Sequence, residues 1–211
     1  MSEQPTSVPI AVHPRLTDED RARAEFYAVL GRLFSGPPDG ALLRLLADAA
    51  LPEEDDAPPV IRAWNRLVDA SRAMDPDAAA QEYTDLFIGV GKAECNLHAS
   101  YWVRDAAVRP LVAVRADLAE LGLVRASGST VYEDHLGALC ETMRLLVAGA
   151  PDARPPAAID VQRRFFQRHL EPWVIACVDS IPACAVANYY ARVAQFAAAY
   201  VALERDSFAI E

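Results

Sequence analysis

Apolar residues recur every three or four positions along most of this chain, and that spacing restricts the folds open to it more than any other feature. An α-helix gathers such residues on one face, whereas a half-buried strand needs apolar and polar residues in alternation. No segment shows four or more clean alternations. The clearest helical stripe comprises Leu136, Leu139, Cys140, Met143, Leu146 and Val147. The sequence therefore predicts an all-α fold.

Helix boundary signals divide the chain into about eight to ten helices, which we expect to form a single compact bundle. Thr17 is predicted to cap the first helix, with Asp20 three residues later, and Gly36 to end it. Pro110 should kink or interrupt a helix running from about residue 100 to 121. The remaining helices are predicted at 39–46, from 58 to beyond 68, from 75 to about 89, from about 134 to 147, at 159–169, at 172–181 and from 183 to about 205.

The ends of the chain and its charge suggest where the protein works. Residues 1–15 are predicted to be a disordered arm and residues 16–211 a helical domain, with any subdivision falling near 122–131. The formal net charge of −10 disfavours nucleic acid as a binding partner. A basic peptide is the more natural charged ligand. There is no apolar stretch of signal-peptide or membrane-span length. We expect a cytoplasmic protein.

The sequence contains few signs of a catalytic or metal-binding site. The four cysteines include no Cys-x-x-Cys pair and are expected to be buried free thiols. Residues 89–92 have the end of a phosphate-binding loop but lack its upstream glycine and its Ser or Thr, which leaves a nucleotide role open. His98 follows Cys95 at three residues, but a loop residue is favoured over a metal ligand. Asp134 and His135 could belong to a catalytic triad, but no nucleophile is evident to complete it. The sequence predicts neither an enzyme nor a bound cofactor or metal.

Three stretches carry a family resemblance. Residues 82–92, EYTDLFIGVGK, are similar to an E-Y-x-x-L-F-x-G-x-G-K block, with Ser100-Tyr101 like the Ser-x-Tyr pair after it. Residues 133–136, EDHL, resemble the end of an E-P-x-D-H-L motif, and residues 165–173, FFQRHLEPW, an F-x-x-x-H-L-x-x-W signature. In this order and at this separation they resemble the TorD/DmsD/NarJ family of redox-enzyme maturation chaperones.

The resemblance implies an all-helical, cofactor-free, cytoplasmic chaperone. It would bind the twin-arginine signal peptide and apoprotein of a molybdenum or tungsten oxidoreductase and assist cofactor insertion before export. Peptide-binding residues implied in this way are Tyr83, Leu86, Phe87, Ser100, Tyr101, Asp134 and His135. The first three would line an apolar groove, and their i, i+3, i+4 spacing would place them on one helix face. Asp134 and His135 would form the polar side of the groove.

The sequence departs from the family pattern at two places. Several alternative functions also fit it. Residues 93–99 contain no proline where the family is usually proline-rich, and Val131-Tyr132 replaces the Glu-Pro opening of the second motif. A structural adaptor subunit of a redox complex is one alternative. A helical metal-dependent enzyme using His98, His135 and the cysteines is another. The client could be a formate dehydrogenase or a dimethyl-sulfoxide-reductase-like enzyme, and the protein a monomer or a domain-swapped dimer.

Overall fold

The computed structural model describes residues 16–53, 55–89, 93–105, 107–125, 128, 131–150 and 153–210. In these residues the chain forms ten α-helices and no β-strand, which confirms the prediction of a compact all-α fold. The predicted arm, residues 1–15, lies outside the described residues, as does part of the expected subdivision. The helices are α1 Asp18–Ser35, α2 Gly40–Ala47, α3 Pro59–Ala73, α4 Pro76–Tyr83, α5 Ala99–Trp102, α6 Pro110–Glu120, α7 Leu136–Ala148, α8 Ile159–His169, α9 Val174–Ser180 and α10 Tyr189–Ile210.

Local capping explains where the first helices begin. Thr17 accepts the backbone N–H of Asp20 at 3.0 Å, while the Asp20 carboxylate accepts the N–H of Thr17 at 3.3 Å, which completes a capping box. The Asp75 carboxylate accepts the N–H groups of Asp77 and Ala78 at the start of α4. Thr17 is the cap that the sequence predicts, and α4 begins next to its predicted start at 75.

Three helices differ from the sequence prediction. The helix expected from about 100 to 121, kinked or interrupted at Pro110, is interrupted over a longer stretch than predicted: α5 ends at Trp102 and α6 begins at Pro110, whose missing N–H suits a first helical position. The helix expected to end near 89 stops as an α-helix at Tyr83 and continues as a π-helical turn, Thr84–Ile88. The final helix begins at Tyr189 rather than 183, after a 3-10 turn at Ile181–Ala183.

The end of α1 and the start of α7 approach each other closely. A Cβ atom on Gly137 would lie 2.9 Å from the Ser35 nitrogen and 3.0 Å from the Gly31 carbonyl oxygen, closer than real Cβ atoms normally come. Glycine at 137 therefore allows the start of α7 to pack directly against the end of α1. On the other side of the core, α10 packs against α3 and α9.

Buried tyrosines fasten the last helix to the first. Tyr190 donates its hydroxyl proton to the Leu33 carbonyl at 2.9 Å, and Tyr200 donates to the Arg23 carbonyl at 3.0 Å. Glu204 is 2% exposed and pairs with Arg23 at 2.7 Å. A buried polar group without a partner destabilises a fold, so these contacts let the large aromatic side chains fill the core.

Candidate functional site

The end of α1, the π-helical turn, the loop 93–98 and the start of α7 enclose a groove of about 360 Å³, here called the Phe87 groove. Its walls bring together two of the sequence blocks that were singled out above. The residues that line it are Ser35, Gly36, Pro37, Tyr83, Phe87, Ile88, Ala93, Cys95, Asn96, Leu97, His98, Val131 and His135.

A short antiparallel bridge holds the loop 93–98 against the start of α7. The Leu136 N–H donates to the Leu97 carbonyl at 2.8 Å, and the Ala99 N–H donates to the Asp134 carbonyl at 3.0 Å. This pairing sets His98 opposite His135, with their ring centroids 4.9 Å apart and their planes at 72°. Two imidazole rings therefore form the polar wall of the Phe87 groove.

Asp134 lies beneath this wall and connects the two segments that form it. Its side chain is only 3% exposed and accepts bonds from His98 Nδ1 at 3.1 Å, from the Ser100 N–H at 3.1 Å and from the Ser100 hydroxyl. Burial by itself raises the pKa of Asp134, but the bonds from His98 and Ser100 outweigh it and lower that pKa to about 2. The carboxylate is thus ionised, and both of its oxygens are already hydrogen-bonded.

His135 is the N-cap of α7. Its Nδ1 accepts the Gly137 N–H at 3.2 Å, so the neutral ring carries its proton on Nε2. Burial, and then the nearby His98, lower the pKa of His135 to about 4 despite the opposing effect of Asp134. At neutral pH the groove therefore presents an uncharged imidazole at this point.

Some residues of the block 82–92 lie in the core and others line the Phe87 groove. Tyr83 is 5% exposed and donates its hydroxyl proton to the Phe34 carbonyl at 3.0 Å. Leu86 is 0% exposed and packs within the core instead of lining the groove. The Phe87 ring packs edge-on against Tyr83 and Tyr190, with centroids 5.1 and 5.0 Å away, and forms the apolar floor. Ile88, 60% exposed, lies at the rim.

Ser100 and Tyr101 occupy different places although they are adjacent. Ser100 acts on the site through Asp134, as described above. Tyr101 is 44% exposed, its ring lies 5.3 Å from that of Trp102, and the guanidinium of Arg104 lies over it at 5.4 Å. This tyrosine is a surface aromatic outside the Phe87 groove.

A second groove of about 440 Å³, here called the Glu141 groove, adjoins the first, because Ser35 and Val131 line both. It carries two carboxylates: Glu133 pairs with Arg115 at 3.0 Å and Glu141 with Arg144 at 2.7 Å. Its other lining residues are Leu118, Leu123, Val124, Arg125, Gly128, Gly137, Ala138, Thr142 and Leu145. The two grooves together offer an apolar floor next to a polar surface, on which each carboxylate is paired with an arginine and Arg125 adds a further positive charge.

Sequence reasoning missed the roles of Glu82 and His98. Glu82 is 8% exposed and accepts three backbone N–H groups at the start of α10: Asn188 at 2.8 Å, Tyr189 at 3.0 Å and Tyr190 at 2.8 Å. Its place at the start of the family-like block 82–92 was the available signal for it. His98 had none, since its partner Asp134 is 36 residues away.

A metal-ligand cluster and a membrane-spanning helix are both absent from the part of the chain that the structure describes. No group of three or more His, Cys, Asp or Glu side chains there could hold a metal ion. None of the helices in the same residues is long and apolar enough to cross a membrane. The phosphate-loop-like segment falls largely on residues 90–92, which lie outside the described residues.

Comparison with known proteins identifies the family. The family model described as nitrate reductase delta subunit matches residues 53–179, which is more than half of the chain and includes all three motif blocks. A search of curated proteins gives no match. The matched family is one of NarJ/TorD-type chaperones for the maturation of redox enzymes, which confirms the resemblance noted from the motifs. The chain therefore belongs to the nitrate reductase delta subunit family.

Proposed function

We propose that this protein is a non-catalytic, cofactor-free cytoplasmic chaperone that binds the twin-arginine signal peptide and apoprotein of a molybdenum or tungsten oxidoreductase. It retains the apoprotein until the metal cofactor is inserted and export can begin. One observation carries the proposal: Tyr83 and Phe87 of the first motif and His135 of the second border the same groove.

The Phe87 groove would take the apolar part of the leader. Phe87 supplies the floor and Ile88 an exposed apolar rim. Burying one apolar side chain there contributes roughly 1.5–3 kcal/mol, whereas an exposed ion pair contributes about 0–1 kcal/mol. The apolar residues of the leader should therefore provide most of the affinity.

The arginines of the leader would compete with Arg144 for Glu141 in the Glu141 groove. Asp134 is a poor direct partner, because its oxygens already accept bonds from His98 and Ser100 and its side chain is 3% exposed. Glu141 is half exposed and can exchange Arg144 for an arginine of the peptide. Asp134 and Ser100 then act by positioning the loop, Leu86 supports Phe87 from the core, and Tyr101 contacts the client beyond its leader.

Calorimetry with synthetic leader peptides tests this proposal. The probes are the twin-arginine leaders of the host's molybdoenzymes, and each has a control in which both arginines are replaced by glutamine. Ile88→Ala should weaken binding of the leader about 3- to 10-fold by removing apolar contact. Leu45→Ala is the matched control, because Leu45 is equally exposed at 59% but lies on α2 away from both grooves.

Two results would contradict the proposal. One is that no leader from any molybdoenzyme of the host binds the folded protein. The other is constitutive co-purification with a mature redox complex that persists after deletion of the leader, which would indicate an adaptor subunit instead.

A further inference from the structure

Two cysteines from distant parts of the chain meet behind the Phe87 groove. The Sγ atoms of Cys95 and Cys184 lie 3.2 Å apart, although the residues are separated by 89 positions. Cys95 belongs to the loop that forms one wall of the groove, and Cys184 follows the 3-10 turn that leads into α10. The Ser180 hydroxyl lies 3.6 Å from Cys95 Sγ.

We propose that Cys95 and Cys184 are a modification site, at which a low-molecular-weight disulfide such as oxidised glutathione converts the two thiols into a reversible disulfide. A disulfide bond is about 2.05 Å long, so the sulfur atoms need to approach by only about 1.2 Å. Both cysteines lie outside α-helices, in connections that can absorb such a movement. The inference concerns these thiols alone and does not depend on peptide binding.

Burial decides which thiol reacts first. Cys184 is half-buried, whereas Cys95 is 3% exposed and burial raises its pKa to about 12. The Cys184 thiolate therefore attacks one sulfur of oxidised glutathione, which forms a mixed disulfide and releases one glutathione thiolate. Cys95 then gives its proton to solvent and attacks Cys184 Sγ, and the second glutathione leaves. Two protein thiols are oxidised, and one oxidised glutathione is reduced to two molecules of glutathione.

The other cysteines serve as internal comparisons. Cys177 donates to the Asn96 carbonyl at 3.5 Å, and burial raises its pKa to about 12. Cys140 is 2% exposed within α7, and burial raises its pKa as well. Both should remain thiols under conditions that oxidise the pair.

The disulfide would tie the groove wall to the start of α10. The Cys95 N–H donates to the Leu86 carbonyl at 2.9 Å, so its hydrogen exchange reports local opening of the loop. A covalent link that closes so long a segment restricts such opening. Exchange at Cys95 should therefore slow at least severalfold in the oxidised protein.

The experiment uses the full chain incubated with excess oxidised glutathione, followed by thiol counting and peptide mapping by mass spectrometry. We expect the free thiols to fall from four to two, a Cys95–Cys184 cross-link in the map, and full reversal by dithiothreitol. Cys184→Ser should abolish the cross-link, while Cys177→Ser and Cys140→Ala retain it. Four unchanged thiols, a stable glutathione adduct at Cys184 without a cross-link, or a cross-link through Cys177 or Cys140 would each overturn the proposal. The peptide map of the oxidised chain without substitutions tests the proposal even where a variant fails to fold.

Discussion

Two motif blocks of this chain meet at one groove but place their side chains in opposite ways. In the block 82–88, Glu82 and Leu86 are turned into the core, and Tyr83 borders the groove with its hydroxyl bonded to the Phe34 carbonyl. Phe87 and Ile88 supply the apolar surface of the groove. At the junction of 98–100 with 134–135, the polar groups form the groove wall itself, and the side chain of His98 is 32% exposed. A family motif can thus be mainly scaffold in one region and mainly binding surface in another.

The two buried carboxylates show the same contrast. Glu82 accepts only backbone N–H groups, at the positive end of α10, where a negative charge is favourable. Asp134 accepts from a titratable imidazole and a hydroxyl. Glu82 should therefore determine whether the bundle forms, whereas Asp134 should determine how the groove responds to pH and ligand.

The largest effect is expected for Glu82→Gln. Glutamine keeps one acceptor oxygen but turns an N–H₂ group toward backbone donors, which leaves buried N–H groups without partners. Hydrogen bonds to a charged group contribute about 1.5–3 kcal/mol each, so the free energy of unfolding should fall by about 4 kcal/mol. Urea unfolding followed by circular dichroism measures it.

Glu25→Gln is the control for that change, because Glu25 is an exposed carboxylate of α1. Its effect on the free energy of unfolding should stay within about 0.5 kcal/mol. The fraction of Glu82→Gln protein that remains folded should bind leader peptide with unchanged affinity. A stability loss below about 1 kcal/mol, or an affinity loss without one, would contradict the assignment of Glu82 to the scaffold.

Glu82 also shows what the sequence could and could not predict. The starts of α1 and α4 were predictable because each cap and the N–H groups that donate to it lie within three residues. The start of α10 was not, because its cap comes from Glu82, more than 100 residues earlier. Local patterns predict helix boundaries only where the stabilising contact is also local.

The π-helical turn limited the prediction of the groove. Tyr83, Leu86 and Phe87 would share a face of an ideal α-helix, but the Gly89 N–H bonds to the Thr84 carbonyl five residues back, at 2.7 Å. This wider turn leaves Leu86 in the core and Phe87 at the groove. The polar wall was only half predictable, since Asp134 and His135 are adjacent in sequence but His98 joins them through the fold.

A smaller effect, confined to acid, is expected from His135. Its folded-state pKa of about 4 lies below the value of about 6.5 in the unfolded chain, so unfolding takes up a proton between these values. Its contribution to stability is complete above pH 6.5 and is lost as the pH falls toward 4, by on the order of 3 kcal/mol. His135→Asn should keep the cap on Gly137 and remove this part of the pH dependence. Unfolding free energies at half-unit steps from pH 7 to 4 measure it.

The comparison with His135→Asn has a built-in control. Burial also lowers the pKa of His169, against the opposing effect of Asp117, so His169 adds its own acid sensitivity. Both proteins contain His169, and the difference between their pH profiles therefore isolates His135. Parallel profiles would show that folding does not lower the pKa of His135 and would contradict the prediction.

The smallest of the three stability effects is expected for Asp134→Asn. The folded-state pKa of about 2 lies below the unfolded value of about 3.9, so the carboxylate stabilises the fold above pH 4 and loses this effect as the pH falls toward 2. The variant should be less stable than the native chain by about 2 kcal/mol at pH 7, with the difference closing near pH 2. The measurement is urea unfolding across that range.

Leader affinity separates Asp134 from Glu82. Asp134→Asn weakens the tie between the loop 93–98 and α7, so the folded variant should bind leader peptide severalfold more weakly, in contrast to folded Glu82→Gln. Asp179→Asn is the control, because Asp179 is exposed near the end of α9. It should change neither the free energy of unfolding nor the affinity for the leader. If Asp134→Asn lost stability but kept full affinity, the polar junction would be scaffold as well, and the contrast between the two motif blocks would disappear.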